Sequence, residues 1–267
     1  HKSEEGNFLD LDVEVKEQPT GTFSLGAGYS SEEHVFAVFN LSDRNLFGYG
    51  YQVSADASLS GSRQTYSLSF TNPRIFDSKV SGGAEIYKTR RDYTEYTRDA
   101  YGFAVRAGAE VRKDVSLRLS YGWDKSTIED VCTSAEAAMG LCNDPVSFLV
   151  EEQMGTIVTS KIEPSITYDS RDSYWNPTQG TYAKLGLEWA GWILGGDAAF
   201  LKGETDLRRY VPLPLETVFM ARARGGYVKG IDGKDIPVYE RFALGGVSTL
   251  RGFDWRSVGP VDPGEKD

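Results

Sequence analysis

The chain is poor in histidine and cysteine, the residues that most often serve as a general base, a thiol nucleophile or a zinc ligand. The 267 residues include two histidines, His1 and His34, and two cysteines, Cys132 and Cys142. A structural zinc site takes four cysteine or histidine ligands, and two cysteines without histidines nearby do not supply them. We therefore expect no structural zinc site; we also expect no other metal, no cofactor and no catalytic residue.

A charged segment at residues 168–180 could suggest hydrolysis by paired carboxylates. Its charged and turn-forming residues are Asp169, Arg171, Asp172, Pro177 and Gly180. Proline and glycine supply the backbone geometry of a turn, and the charged side chains can bond to turn amides or to one another. Because no histidine lies nearby in the sequence, the pattern favours a structural turn over a catalytic site.

A glycine-rich segment at residues 241–253 holds one arginine and one phenylalanine between glycines. The residues concerned are Gly245, Gly246, Arg251, Gly252 and Phe253. An arginine flanked by glycines can fold back against a wall and offer its planar guanidinium group to a carboxylate. The pattern predicts a loop after a strand, and the residues alone do not identify a carboxylate partner for the arginine.

The overall composition limits both the partners and the class of fold. Lys+Arg number 29 and Asp+Glu number 39, so the formal net charge is -10. An acidic chain repels phosphate backbones, and we expect no nucleic acid partner. The hydrophobic share of 40% and the aromatic share of 12% are too high for a disordered chain. No apolar run approaches the ~18 residues of a membrane-spanning helix, whereas a spanning β-barrel stays possible.

The elements that position these segments are strands, because apolar and polar residues alternate along the chain. Successive side chains of a strand point to opposite faces, so each strand has an apolar and a polar face. The predicted strands lie near residues 21–30, 34–42, 49–60, 63–71, 79–90, 100–111, 114–124, 157–169, 181–190, 198–211 and 216–228. Many are ~10 residues long, as a tilted membrane strand requires, whereas globular strands are usually ~5–6 residues long.

Charges on the polar faces and aromatic residues at the strand ends favour a membrane barrel. Charged side chains such as Lys161, Glu188 and Lys202 share one face, where a water-filled lumen accepts them. The aromatic residues that suit the membrane interfaces are Tyr29, Tyr121, Trp123, Trp189 and Tyr227. A soluble β-sandwich would show the same alternation, but strand length and aromatic placement favour the barrel.

Four motifs, in this order along the chain, resemble those of one family. They are residues 43–50, residues 71–76, residues 169–180, and Leu-Arg-Gly-Phe at 250–253 preceded by Gly-Gly-Val-Ser at 245–248. In the family the second motif is a periplasmic turn, and the resemblance implies that the third is one as well. In the second motif, Arg74 stands where an aromatic residue is more usual. Residues 20–267 thus resemble the superfamily of outer-membrane protein-assembly and two-partner-secretion barrels, and within it the barrel subunit of the β-barrel assembly machinery.

The resemblance implies an all-β fold, a transmembrane antiparallel β-barrel of about sixteen strands. About eleven are expected here, so that residues 20–267 form the N-terminal part of the barrel and the chain stops within the Arg-Gly-Phe loop. Residues 1–19 are expected to end a preceding periplasmic POTRA domain, with residues 7–17 as its last strand or else as a disordered leader. In the family, the acidic partners of Arg251 lie in later strands.

The resemblance also implies a non-enzymatic function, the folding and insertion of β-barrel proteins into the outer membrane of a Gram-negative bacterium. The first strand would form an openable seam and template strands of the incoming protein. It consists of Gly21, Thr22, Phe23, Ser24, Leu25, Gly26, Ala27, Gly28, Tyr29 and Ser30. Arg251, Gly252 and Phe253 would anchor a loop in the lumen. The expected partners are unfolded outer-membrane proteins, accessory assembly lipoproteins, periplasmic chaperones and outer-membrane lipid.

The two cysteines lie in a long connection, residues 125–156, which strand parity places on the outer surface of the cell. That compartment is oxidising, and nine residues separate the cysteines, which is ample for a bridge. We therefore predict a disulfide between Cys132 and Cys142 that constrains this connection locally.

Three other functions stay open at this point. A two-partner-secretion translocator, which passes a partner protein through its barrel, belongs to the same superfamily. An outer-membrane hydrolase would use histidine with serine or aspartate, and the internal histidine, His34, lies in a predicted tight hairpin. A passive porin would conduct ions across a bilayer. Assembly agrees best with the four motifs.

Overall fold

The protein folds as eleven strands in one antiparallel sheet. The computed structural model describes residues 14, 16, 18–30, 33–93, 95–133, 136–137, 139–141, 146 and 148–259. The strands are β1 (Gly21–Ser30), β2 (His34–Leu46), β3 (Tyr51–Ser60), β4 (Arg63–Asn72), β5 (Val80–Asp92), β6 (Thr97–Arg112), β7 (Val115–Glu129), β8 (Gly155–Asp169), β9 (Gly180–Ala190), β10 (Phe200–Leu213) and β11 (Thr217–Gly230). Each strand pairs with its neighbours in the sequence. The predicted number and order of strands are confirmed.

Alternation in the sequence produces rows of like side chains across the sheet. Arg106 pairs with Ser120, and Ser120 pairs with Glu163. One residue further along β7, Tyr121 pairs with Val105. Directly paired residues of antiparallel strands share a face, so polar rows alternate with apolar rows. The polar face borders a cavity of about 1150 Å³.

The apolar face is open, which distinguishes a membrane barrel from a sandwich. Phe103, Leu185 and Leu207 are 40%, 50% and 48% exposed. A sandwich would bury this face against a second sheet, but the described strands form a single sheet. An exposed apolar face around a polar interior is that of a membrane barrel. The sandwich alternative is therefore wrong, and the fold is the predicted all-β barrel, open between β1 and β11 in the described part of the chain.

Antiparallel order places the connections at two ends of the barrel. The connections after β2, β4, β6, β8 and β10 lie at the end where β1 begins. The connections after β5, β7, β9 and β11 lie at the opposite end, which we call the long-loop end. That end carries α1 (Phe148–Glu151) and the short 3-10 turns Trp192–Leu194 and Val238–Glu240.

Several strands, among them β2, β6, β7 and β8, are longer than predicted, and the extension of β7 changes the position of two aromatic residues. The second half of β7 continues to pair with the start of β8, from Lys125 with Val158 to Ile128 with Gly155. The long connection therefore covers residues 130–154 rather than 125–156. Tyr121 and Trp123 lie in the middle of β7, not at its end as predicted. Polar residues at 125–127 hid the extension, because backbone pairing with β8 does not require large side chains.

Compact apolar packing is found at the long-loop end, in two small clusters. One joins Tyr96, Ile128 and Val238 with residues of the β7–β8 connection. The other joins Ala190, Ala198 and Phe200, with Ile157, Val228 and Ile236 packed against it. Because the centre of the barrel is hydrated, apolar side chains are buried mainly where the connections close over its end.

Other predictions fall at or beyond the limits of the described residues. Of the predicted POTRA strand at residues 7–17, the structure describes Glu14 and Lys16, so the domain boundary stays a prediction. None of the helices in the described ranges is long and apolar enough to cross a membrane.

Candidate functional site

The segment after β11 folds back into the barrel. We call residues 231–259 the interior loop. Phe242, Leu244 and Thr249 of this loop line the central cavity together with interior residues of β4–β11. The two arms of the loop are joined by a bridge between Leu244 and Val258, with N–O distances of 2.7 and 3.0 Å. The glycine-rich motif is therefore the tip of a closed structure inside the lumen.

Glycine is required at the base of this tip. Gly245 has a φ of 119°, and a side chain there would collide with the Asp254 carbonyl oxygen. The Gly245 amide donates to Thr249 Oγ1 at 2.9 Å, and the Gly246 amide donates to the Phe253 oxygen at 2.9 Å. The spacing of the two glycines therefore sets the turn that presents residues 247–253.

Arg251 itself makes little contact with the wall. Its Nε donates to the Val247 oxygen at 3.4 Å, and within the described ranges no carboxylate oxygen lies within 4.0 Å of its guanidinium group. Phe253 is 55% exposed. The prediction that Arg251, Gly252 and Phe253 anchor the loop stays untested, and other residues hold the loop in this structure.

The strongest attachment is an ion cluster around Glu240. This carboxylate binds Lys202 Nζ at 2.9 Å and lies 3.8 Å from Lys161 Nζ. Lys161 also binds Glu188 at 2.7 Å. The side chains of Lys161, Glu188, Lys202 and Glu240 are 13–18% exposed. One carboxylate from the interior loop thus joins strands β8, β9 and β10.

The charge state of Glu240 follows from its neighbours. Burial alone would raise the pKa of the carboxyl, but the positive charges of Lys161 and Lys202 outweigh burial and hold the pKa below its ordinary value. Glu240 is therefore ionised at neutral pH, and its ion pairs are intact.

A second attachment involves the residue before Glu240. The Arg98 guanidinium group lies 3.9 Å from the centre of the Tyr239 ring, a cation–π contact. Arg98 Nη2 also donates to Ser126 Oγ at 2.8 Å and lies 3.4 Å from Asp124 Oδ2. The Tyr239 hydroxyl lies 3.5 Å from Thr159 Oγ1. Burial raises the pKa of the Tyr239 hydroxyl, so it is neutral at all moderate pH values.

Further contacts fix the two arms of the loop. Gln153 of the β7–β8 connection accepts from the Val238 amide at 2.9 Å and donates to the Ile236 oxygen at 3.1 Å. At the other arm, the Arg91 guanidinium group lies 3.7 Å from the centre of the Trp255 ring. The interior loop therefore reaches from β10 across to β5.

Sequence reasoning identified the wall charges but not their partners in the loop. Lys161, Glu188 and Lys202 follow from strand parity, whereas Glu240 lies in an irregular segment with no periodicity. A signal was present, because Tyr239 and Glu240 directly precede the glycine-rich motif.

The turn between β8 and β9 has the bonds that its residue types predict. Arg171 binds Asp169 through two bonds of 2.8 and 2.7 Å. Asp172 accepts from the amides of Thr178 and Gln179 at 2.9 and 3.2 Å. The hydroxyl and amide of Thr178 lower the pKa of Asp172 to about 2. The turn lies at the end of the barrel where β1 begins, and its periplasmic position stays a prediction.

The backbone geometry of this turn also follows the sequence. Pro177 lies within the turn, and Gly180 begins β9 with a φ of 112°. A side chain at Gly180 would meet the backbone of Ser170 and Arg171. The segment is therefore a structural turn, as its composition indicates.

The proposed seam strand is β1, and its bounds are those predicted. Its residues pair with β2 from Gly21 with Asp43 to Ser30 with His34. In the described part of the chain, the other edge of β1 has no neighbouring strand. A Cβ atom at Gly28 would lie 2.6 Å from the Phe36 ring of β2. Position 28 of β1 therefore has no room for a side chain, because the Phe36 ring of β2 occupies the space beside it.

Of the two cysteines, the structure describes one. Cys132 is disulfide-bonded, whereas Cys142 lies outside the described residues. Pairing between them stays a prediction.

Known proteins share the sequence and the fold of this chain. The model of the Omp85 superfamily domain matches residues 45–267. Over 259 residues the chain is 33% identical to the outer membrane protein assembly factor BamA of Nitratidesulfovibrio vulgaris, covering 97% of this chain and 31% of that protein. It is 28% identical over 261 residues to the sorting and assembly machinery component 50 homolog of Mus musculus, covering 97% and 53%.

The fold has a solved counterpart. The crystal structure of BamA from Haemophilus ducreyi lacking POTRA domains 1–3 superimposes with a TM-score of 0.77 at 24% identity, over 92% of this chain and 48% of that chain. The chain thus spans about a third of the bacterial relative and about half of the mouse protein. These matches confirm the resemblance inferred from the four motifs, and the chain belongs to the Omp85 superfamily.

Proposed function

We propose that this chain is the N-terminal part of the barrel of an outer-membrane protein assembly factor in a Gram-negative bacterium. The observation that carries the proposal is the contrast between β1, whose interior-facing side chains are small, and a wall that an interior loop holds from within. The bacterial relative at 33% identity is named an assembly factor, which favours assembly over the translocator of the same superfamily.

The chemistry of the β1 edge is that of a template. A strand edge presents backbone N–H and C=O groups at a fixed spacing, and an extended polypeptide can pair with them. In lipid, each unpaired backbone group costs several kcal/mol. A client strand that pairs with β1 therefore enters the membrane with its hydrogen bonds made on one side, which lowers the barrier to insertion.

Weak side-chain attachment allows β1 to part from another strand. Its interior-facing residues are Thr22, Ser24, Gly26, Gly28 and Ser30. Such small side chains contribute little to cross-strand packing. Pairing along this edge thus depends on backbone hydrogen bonds, which a client strand can replace one for one.

The interior loop has a different role in the proposal. Glu240 and Tyr239 fix it to β6, β8 and β10, so this part of the wall resists deformation while β1 exchanges partners. The clients are unfolded outer-membrane proteins. Accessory lipoproteins and periplasmic chaperones would deliver them on the side of the barrel where β1 begins, together with the POTRA domain expected before residue 20.

Site-specific disulfide trapping tests the template role. The full-length protein with Ser24→Cys is placed in lipid vesicles with an unfolded outer-membrane protein that carries one cysteine in its last strand. We expect a mixed disulfide during assembly. The matched control is Ser58→Cys, which faces the interior from β3, a strand paired on both sides.

The outcomes separate the candidate functions. Trapping at Ser24→Cys and not at Ser58→Cys supports templating. Equal trapping at both positions would contradict it, as would assembly that proceeds with no trapping at β1. Appearance of the client in the vesicle lumen instead of the membrane would indicate a translocator.

A further inference from the structure

The connection between β9 and β10 carries an apolar tip on the outside of the barrel. Trp192 and Ile193 are 59% and 75% exposed. The Trp192 ring stacks on Trp189 of β9, with 5.4 Å between ring centroids and 16° between ring planes. The tip therefore lies along the outward face of the sheet and does not enter the lumen.

The stack continues a lipid-facing row. Trp189 pairs with Ile162 of β8 and with Leu201 of β10. Leu201 pairs in turn with Lys229 of β11, whose side chain is exposed. Aliphatic, tryptophan and lysine side chains in one row are the composition of the boundary between acyl chains and headgroups, where the ammonium group of lysine reaches the polar layer.

The tip is held in this position by hydrogen bonds to the backbone of β8. The Asp197 amide donates to the Val158 oxygen at 2.7 Å, and the Val158 amide donates to Asp197 Oδ2 at 2.9 Å. The Gly191 amide donates to the Ser160 oxygen at 2.9 Å. Beneath the tip, Ala198 and Phe200 are buried. Because the tip is already ordered, presenting its apolar side chains to a partner requires little further loss of conformational entropy.

We propose that Trp192 and Ile193 form a lipid anchor, which inserts at the boundary between headgroups and acyl chains at the long-loop end. The occupant is the lipid surface, because the exposed side chains are continuous with the lipid-facing row of Trp189. The anchor lies between β9 and β10, two strands that the ion cluster of Glu240 holds from the inside. The barrel is thus fixed in the membrane at a wall remote from β1. This inference requires a membrane barrel and is independent of the assembly function.

Fluorescence quenching in vesicles tests the anchor. The full-length protein with Ile193→Cys is labelled with an environment-sensitive fluorophore under non-reducing conditions and reconstituted in phosphatidylcholine vesicles. The matched control is Asp232→Cys, an exposed position in the adjoining turn at the same end. Acyl-chain-brominated lipid should quench position 193 several-fold more than position 232, and aqueous iodide should show the reverse order.

A second measurement, on protein without a label, tests the anchor even if the labelled variant does not fold. In the unlabelled protein, Trp192→Phe should reduce the quenching of tryptophan fluorescence by brominated lipid, whereas Trp255→Phe, in the interior loop, should not. Equal access of iodide to positions 193 and 232 without brominated-lipid quenching would overturn the proposal. Protection of position 193 from both quenchers would also overturn it, because a protein partner would then cover the tip.

Discussion

The wall formed by β8–β10 and the wall formed by β1–β4 face the same interior but are held together differently. On the first, Lys161, Glu188 and Lys202 form an ion cluster that a carboxylate of the interior loop completes. On the second, interior side chains are mainly hydroxyls and amides, and Asp56 binds Asn40 at 2.6 Å and Ser54 at 2.9 Å. The first wall is joined to another part of the chain, and the second depends on its own strand pairing.

This difference assigns mechanical roles to the two walls. Partly buried ion pairs resist separation because each partner, once alone, would leave an uncompensated charge. Exposed hydroxyl pairs exchange readily with water, so their loss costs little. We therefore expect the β1–β4 wall to deform at low cost while β8–β10 keep their shape, as a template edge beside a rigid support requires.

The largest effect is expected from Glu240→Gln. This change leaves Lys161 and Lys202 with one carboxylate fewer, and we expect the free energy of unfolding to fall by about 2 kcal/mol. Breaking a fully buried ion pair costs ~3–5 kcal/mol, and the cost is lower here because the lumen is hydrated. Heat-modifiable gel mobility of the full-length protein measures the loss. Asp56→Asn, on the other wall, is the matched control and should cost less than ~1 kcal/mol. Equal losses in the two variants would remove the distinction between the walls.

A glycine pair in the interior loop gives effects of similar or smaller size. In Gly245→Ala the new methyl group would collide with the Asp254 carbonyl oxygen, and the backbone φ of 119° is unfavourable for alanine. We expect the free energy of unfolding to fall by about 2 kcal/mol. Gly252 has a φ of 91° but open space around it. For Gly252→Ala we therefore expect the free energy of unfolding to fall by about 1 kcal/mol, from backbone strain alone. Denaturant unfolding of both variants checks the order, and the reverse order would show that the tip is not seated as described.

Acid should release the interior loop from β8–β10. Because the folded pKa of Glu240 is lowered, its stabilisation is present above its ordinary pKa of ~4.3 and is lost as the pH falls through the folded value. The charged groups that face it are Lys161, Lys202 and Arg98, together with Glu188. The pH dependence of fluorophore emission at labelled Ser248→Cys measures release, and Glu240→Gln should flatten this dependence. An unchanged profile would assign the titration to another group, such as Glu188.

The smallest effect is expected in the turn between β8 and β9. Asp172 keeps its charge to about pH 2, so the protection of the Thr178 and Gln179 amides from hydrogen exchange should persist at pH 4. Asp172→Ala should speed exchange at both amides, as mass spectrometry would show. Amides of the β2–β3 turn, where Gly50 donates to Asn45, serve as the unaffected control.

The alternation of apolar and polar residues was sufficient to predict the strands, but not the contacts of the interior loop that the strands enclose. The bounds of β1 were predicted to the residue, because its alternation ends at turn residues on both sides. The extension of β7 beyond Asp124 was missed, since pairing with β8 supports a stretch without large apolar residues. In the site, the Gly245 turn followed from composition, whereas Glu240 as the principal attachment did not.

The order of residue types along the chain determined the strand count, the two faces of each strand, the tight turns and the superfamily, because each depends on neighbours in sequence. Tertiary structure alone decided which loop carboxylate meets Lys161 and Lys202, where Arg251 rests and which wall is supported. These depend on an irregular segment that returns across the lumen, and pairing between residues tens of positions apart leaves no periodic trace in the sequence.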